Sequence, residues 1–162
     1  MQISTDFLFD HLKALKIETK TYKHLPVFTV AEAKIQCGHI AGCHCKNLFL
    51  KDKKGSLFLI VTKDNQSLDL KELRKKIGSN HLSFGKPDLL RDTLGIEPGS
   101  VSPFALINDN KNQINLILDM KMMQNKLLNF HPLTNSLTTS ISPNDLLIFI
   151  KDTGHVPSIL EL

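Results

Sequence analysis

Five residues able to bind a metal or carry thiol chemistry crowd into one short stretch: Cys37, His39, Cys43, His44 and Cys45, with Lys46 directly after them. A closed zinc site wants paired ligands two to four residues apart and a second pair downstream. Cys43-His44-Cys45 offers neither, so no metal site is expected here. A cysteine nucleophile needs a positioned base or another source of a lowered pKa, and the sequence supplies proximity without geometry. Lys46 suggests different chemistry. It opens the apolar run Asn47-Leu48-Phe49-Leu50, so its stem can pack on that run while its ammonium looks into a cleft and receives an anionic ligand. The alternative is a solvated lysine snorkelling at a strand end. Far downstream, Phe130-His131-Pro132-Leu133-Thr134-Asn135-Ser136 sets polar residues after a strand, with Pro132 stiffening the chain. Such a loop either lines a small pocket in which His131 reads a ligand or is a self-satisfied turn. Glycine-rich phosphate loops, the Gly-x-Ser-x-Gly elbow and the His-Glu-x-x-His helix are all missing.

The elements that must carry these residues follow from local signals. Ser4 caps a helix with Phe7, Leu8, Leu12 and Leu15 on one face, ending near Lys16-Ile17. Thr19 to His24 alternates as an edge strand until Pro26. Thr29 and Glu32 form a capping box for a short helix ending before Gly38. The Lys46 strand, the turn Lys53-Lys54-Gly55 and the apolar strand Ser56–Thr62 make a hairpin. Asp69 and Glu72 start a helix that Gly78 stops, with Arg74-Lys75-Lys76 in its last turn. Leu82-Ser83-Phe84 reads as a brief strand, and Pro87 to Leu94 as a helix closed by Gly95. Val101 to Ile107 and Ile114 to Asp119 read as two strands of a second hairpin around Asn108–Asn112. A short turn over Met120–Asn125 and the strands Leu127–Phe130 and Leu137–Ile141 follow. Ser142-Pro143 then starts a last helix running to Gly154. Helices and hairpins intermixed exclude a pure doubly wound parallel sheet. They predict an α+β fold, one domain over 1–162, whose mixed sheet is curved or barrel-like and covered by helices.

Composition sets outer bounds. A chain of 162 residues can bury about 70% of its unfolded surface, enough for a core with a pocket. Hydrophobic residues are 41% and charged residues 22%, an ordinary globular balance. No apolar run reaches the ~20 residues of a membrane span, and no signal peptide is evident at the N-terminus. Three cysteines argue against a disulfide framework and for a reducing compartment, with the cytoplasm expected. A net charge of +4 favours a polyanionic partner. With no Trp and a single Tyr, an aromatic platform for loose single strands is not expected.

Several phrases occur together and in order: His24-Leu25-Pro26-Val27-Phe28-Thr29-Val30-Ala31-Glu32-Ala33, Lys46-Asn47-Leu48-Phe49-Leu50-Lys51-Asp52, Leu82-Ser83-Phe84, Pro98 to Asp109, and Phe130-His131-Pro132-Leu133-Thr134-Asn135. In this the chain resembles the YbaK/prolyl-tRNA synthetase-associated editing domains, nearest the freestanding Ala-tRNA(Pro) deacylase branch, from about Thr21 onward. The resemblance implies a deacylase acting in trans on alanine esterified to tRNA(Pro). A synthetase pocket sized for proline excludes alanine weakly, because a missing methylene is worth only about 1–3 kcal/mol, so a second sieve is needed. It implies Lys46 as the key functional residue, here taken as catalytic, with His131, Pro132 and Asn135 forming the aminoacyl pocket and Phe28 and Thr29 on the opposite wall; His44 and Asn47, close to Lys46 in the chain, are further substrate-binding candidates. It also implies water as nucleophile, assisted by the terminal ribose 2′-hydroxyl, with no cofactor. Arg74, Lys75 and Lys76 are candidates for the tRNA backbone, or else a solvated helix face. Prolyl-tRNA synthetase and an elongation factor are the further partners to consider; DNA and membranes are not expected. Cys43 and Cys45 depart from the family, which commonly has a small apolar residue and Thr there, so a hydroxyl-dependent contact is in doubt. Two alternatives stay open: a Cys-tRNA(Pro) deacylase of the same fold, and a noncatalytic tRNA- or synthetase-binding module.

Overall fold

A computed structural model describes residues 3–162. The elements run α1 (Thr5–Ala14), β1 (Lys20–Lys23), α2 (Val30–Cys37), β2 (Cys43–Asp52), β3 (Leu57–Lys63), α3 (Leu70–Ile77), β4 (Leu82–Phe84) and α4 (Pro87–Leu94). A 3-10 segment (Pro103–Asn108), β5 (Ile114–Asp119), a 3-10 turn (Met122–Gln124), β6 (Leu128–Phe130), β7 (Leu137–Ile141), α5 (Pro143–Asp152) and β8 (Ser158–Leu160) complete them. The capping signals act as predicted: side-chain oxygens of Ser4, Thr29, Asp69 and Ser142 each accept a first-turn N–H.

The mixed sheet has the order β1-β7-β6-β2-β3-β5-β8, with β4 paired to β2. Its pairing path ends at β1 and β8, so the sheet is open rather than a closed barrel. β2 and β3 form the expected hairpin, and β3 runs parallel to β5. β3 is buried on both faces because each face meets a different core. Leu57, Leu59 and Val61 join the larger cluster with Leu8, Leu12, Leu94, Phe104 and Phe149. Phe58 and Ile60 join a smaller one with Leu50, Leu73 and Leu82, which places α3 and β4 on that side. Strand alternation thus sends successive residues into separate cores.

Two expectations fail. Val101–Ile107 is not a strand and makes no hairpin with Ile114–Asp119: Pro103–Asn108 is a 3-10 segment, and β5 pairs in parallel with β3. Pro103 has no N–H for a ladder, and Ala105 N–H closes a tight turn on Ser102 C=O at 3.1 Å. Phe104, Ala105 and Leu106 are buried on all sides, so this run carries no periodicity to separate strand from helix. Phe104 packs edge-on against Phe130 and Phe149. Phe7 does not belong to the buried stripe of α1 either. It is 51% exposed and stacks on His11, while Phe9 packs toward the core. No local signal announces β8, which pairs in parallel with β5.

Candidate functional site

The β6–β7 loop makes one wall. Leu133 has φ 68°, a left-handed conformation uncommon outside glycine, and its N–H bonds His131 C=O at 3.0 Å. Pro132 is buried between them, its carbonyl accepting from Thr5 Oγ1 at 2.8 Å, so α1 holds the bend from behind. The segment before α2 is stitched to the same loop: His24 N–H bonds Ser136 C=O, Val27 N–H bonds Asn135 C=O, and Asn135 Nδ2 donates to Val27 C=O at 2.9 Å. Phe28, 69% exposed, is thereby carried to the rim. Glu32 accepts the Phe28 N–H and Thr29 accepts the Glu32 N–H, so α2 starts where the rim ends.

Between α2, β2 and the β6–β7 loop lies an inner cavity of about 540 Å³ counting its open mouth, lined by Val30, Ala33, Lys34, Cys37, Cys45, Asn47, His131 and Thr138 among others. Alongside it an outer cleft of about 660 Å³ is lined by Phe28, Thr29, Lys46, Gly99 and Val101. Val30, Ala33, Cys45, Asn47 and His131 line both, so the two adjoin; together they are the recess. Lys46 stands in its outer part. Among the described residues no carboxylate lies within ion-pair distance of its ammonium.

Two imidazoles have their tautomers set by carbonyl partners, which only accept. His131 Nδ1–H donates to Leu137 C=O at 2.9 Å, leaving Nε2 as an acceptor. Burial holds its pKa below the ordinary value of 6.5; the Leu137 bond opposes this, and His24, its ring 6.0 Å away, adds to it. His131 is therefore a neutral base at the recess. His44, in contrast, donates from Nε2 to Ile40 C=O at 3.0 Å and braces the loop entering β2. Cys43 and Cys45 pack against the larger core. A hydrogen bond from Cys45 draws the Cys43 pKa down, and burial pushes Cys45 well up, so the thiol facing the recess is a small neutral group. Cys37 is also raised by burial, with Thr138 Oγ1 at 3.7 Å. No group of three or more metal-ligating side chains occurs among the described residues.

The structure thus brings Phe28, Thr29, Lys46, Asn47 and His131 around one recess, with His44 at its inner end. Asn135 lines a neighbouring groove with Phe28, its amide engaged by Val27, and Pro132 supports the bend from beneath. Arg74, Lys75 and Lys76 are exposed on α3, across the sheet, and line none of these surfaces. Sequence reasoning missed Cys37 as inner lining and Gly99 and Val101 as outer lining. Gly99, at φ 93°, has Phe28 and Val27 C=O 3.6 and 3.7 Å from where a Cβ would stand; its place in Pro98-Gly99-Ser100 was the available signal.

The recess thus joins the Lys46 ammonium on its outer side to an inner cavity that holds His131 and His44, with Lys34 and Asp64 also in its lining. The aminoacyl-tRNA editing domain model matches residues 24–149, and the chain belongs to this family. It is 39% identical over 156 residues to the prolyl-tRNA synthetase associated domain-containing protein 1 of Danio rerio, covering 95% of this chain and 85% of that one. It is 37% identical over 153 residues to the prolyl-tRNA editing protein ProX of Acetoanaerobium sticklandii, covering 93% of each. A crystal structure described as a candidate trans-editing enzyme for prolyl tRNA synthetase superposes with TM-score 0.70 at 20% identity, covering 100% of this chain and 99% of that one, a likeness of fold.

Proposed function

We propose that this protein hydrolyses the ester linking alanine to tRNA(Pro), removing mischarged product in trans. The observation that carries this reading is the Lys46 ammonium, without an ion-pair partner among the described residues, at the outer part of a recess whose inner cavity is narrow and apolar around Val30, Ala33, Cys37 and Cys45, in a chain of the editing family. A 3′-terminal nucleotide is anionic and an alanyl group is small, and the two parts of the recess suit them in turn. Lys46 binds the terminal phosphate or ribose, fixing the ester in place. Water adds to the ester carbonyl carbon, the bond from that carbon to the ribose oxygen breaks, and the ribose oxygen takes a proton, releasing alanine and tRNA. The ribose 2′-hydroxyl assists this step, as the family resemblance implies, and neutral His131 accepts a hydrogen bond from the attacking water or that hydroxyl. No protein nucleophile is required.

The test is loss of ester from tRNA(Pro) charged separately with alanine, cysteine or proline. Selective loss of alanine is expected. Faster loss of cysteine would move the assignment to the cysteinyl ester, and binding without any loss would indicate a noncatalytic module. Lys46→Ala should lower alanine release by about 100-fold or more while leaving the melting temperature nearly unchanged. Turnover at the wild-type rate in that variant would sink the role given to Lys46.

A further inference from the structure

We propose that the aminoacyl group docks as one residue of a missing strand, on the main chain of Asn47; this rests on the ester-hydrolase reading above. β2 is bonded to β3 along its length, but its other edge is occupied only at the ends, by β6 at Cys43 and His44 and by β4 at Leu50 to Asp52. Between these ends the edge is open.

Main-chain bonding groups alternate in direction along a strand. His44 C=O accepts from Asp64 N–H at 2.9 Å and Asp52 N–H donates to Ser56 C=O at 3.0 Å, so the even-numbered residues of β2 bond toward β3. Cys43 N–H donates to Leu127 C=O at 2.8 Å and Phe49 C=O accepts from Gly85 N–H at 2.9 Å, so the odd-numbered ones face the other edge. Asn47 therefore directs both its N–H and its C=O into the opening. No loop or side-chain group of the described residues bonds either of them. Its buried side-chain Oδ1 is also without a partner. The opening coincides with the recess: Asn47 lines the inner cavity, the outer cleft beside Lys46, and the apolar groove beyond toward Gly85. Main-chain groups half-removed from water and left unbonded are rare, and a ligand is one way of satisfying them.

An aminoacyl ester has the two groups a strand residue would bring. Its ammonium donates and its carbonyl, one carbon away, accepts. In a hydrogen-bonded antiparallel pair each residue exchanges both bonds with the one opposite. The ammonium thus donates to Asn47 C=O, and the ester carbonyl accepts from Asn47 N–H. Residues paired in this way share a face of the sheet, so the alanyl methyl lies on the Cys45 side, toward Ala33 and Cys37. As water adds, the carbonyl oxygen becomes an oxyanion and the Asn47 N–H bond strengthens. Lys46, one residue earlier and with its main chain turned to β3, keeps its ammonium for the nucleotide.

Alanyl-tRNA(Pro) and lactyl-tRNA(Pro), in which a hydroxyl replaces the ammonium, are compared by their rate enhancement over spontaneous hydrolysis. The alanyl ester should be favoured by about tenfold or more, as a charge-assisted hydrogen bond requires. Replacing Asn47 with its α-hydroxy acid, which turns the N–H into an ester oxygen, should lower the single-turnover rate about 100-fold with unchanged affinity for uncharged tRNA(Pro). Equal enhancement for the two esters, or wild-type turnover in the backbone variant, overturns the proposal. Binding of the nonhydrolysable 3′-amide analogues of alanyl- and lactyl-adenosine to the wild-type protein needs neither turnover nor a folded variant. A preference of about tenfold for the alanyl analogue supports the strand-like contact, and equal binding refutes it. Failure of the wild-type protein to hydrolyse alanyl-tRNA(Pro) would instead remove the proposed function and leave this binding comparison to judge the contact.

Discussion

His131 connects burial, stability and chemistry in a single side chain. Because burial depresses its pKa, the unfolded chain takes up a proton near pH 6.5 that the folded chain refuses. Its contribution to stability is therefore complete above pH 6.5 and is lost as the pH falls through the lower folded-state value. The urea midpoint should drop between pH 7 and pH 5, and His131→Asn should make that drop shallower. Deacylation should fall over the same acidic range, since protonation removes the Nε2 acceptor. An equally steep acid loss of stability in His131→Asn would mean that other groups cause it.

The end of α5 is fastened by a buried cluster away from the recess. His155 Nε2 lies 2.8 Å from Asp109 Oδ2, with side-chain exposures of 2% and 0%. The same carboxylate accepts the N–H groups of Gln113 and Ile114, and Thr153 Oγ1 meets His155 Nδ1 at 2.9 Å. This ties the turn after α5, just ahead of β8, to the loop entering β5. Removing the imidazole takes a buried partner from both Asp109 and Thr153 and leaves a cavity, so His155→Ala should cost about 2 kcal/mol in urea unfolding. The folded fraction should keep its turnover, because His155 lines no part of the recess. A variant as stable as wild type would show that Asp109 is satisfied by the two main-chain N–H groups alone.

Across the molecule, the excess of positive charge is spread over several elements, and a tRNA has to be met by more than Lys46. We propose that Arg74, Lys75 and Lys76, on the side of the sheet opposite the larger core, touch the tRNA body rather than its aminoacyl end. Replacing all three by Ala should raise KM, leave kcat unaltered, and flatten the dependence of log KM on log salt by about 0.9 for each phosphate no longer neutralised. An unchanged salt slope would return these residues to the role of a solvated helix end. Among the described residues no helix is long and apolar enough to cross a membrane.

Much is legible in the residues alone. Caps at Ser4, Thr29, Asp69 and Ser142, the glycine stop at Gly78 and the β2–β3 turn are short-range signals, written within a few residues of where they act. The phrases around Lys46 and His131 point to the family and to most of the recess. Other features depend on partners distant in the chain. The run before Asn108 is apolar without a period; Pro103 bars it from a ladder, but its packing on Phe130 and Phe149 is a contact distant in the chain. Cys37, Gly99 and Val101 reach the recess through α2 packing and the course of the chain after α4, which no local pattern encodes. The open edge at Asn47 is the least legible of all. It exists because β6 and β4 both pair with β2 and neither extends far enough to meet the other, so strand order and length, rather than the type of any residue, leave one rung of the sheet vacant.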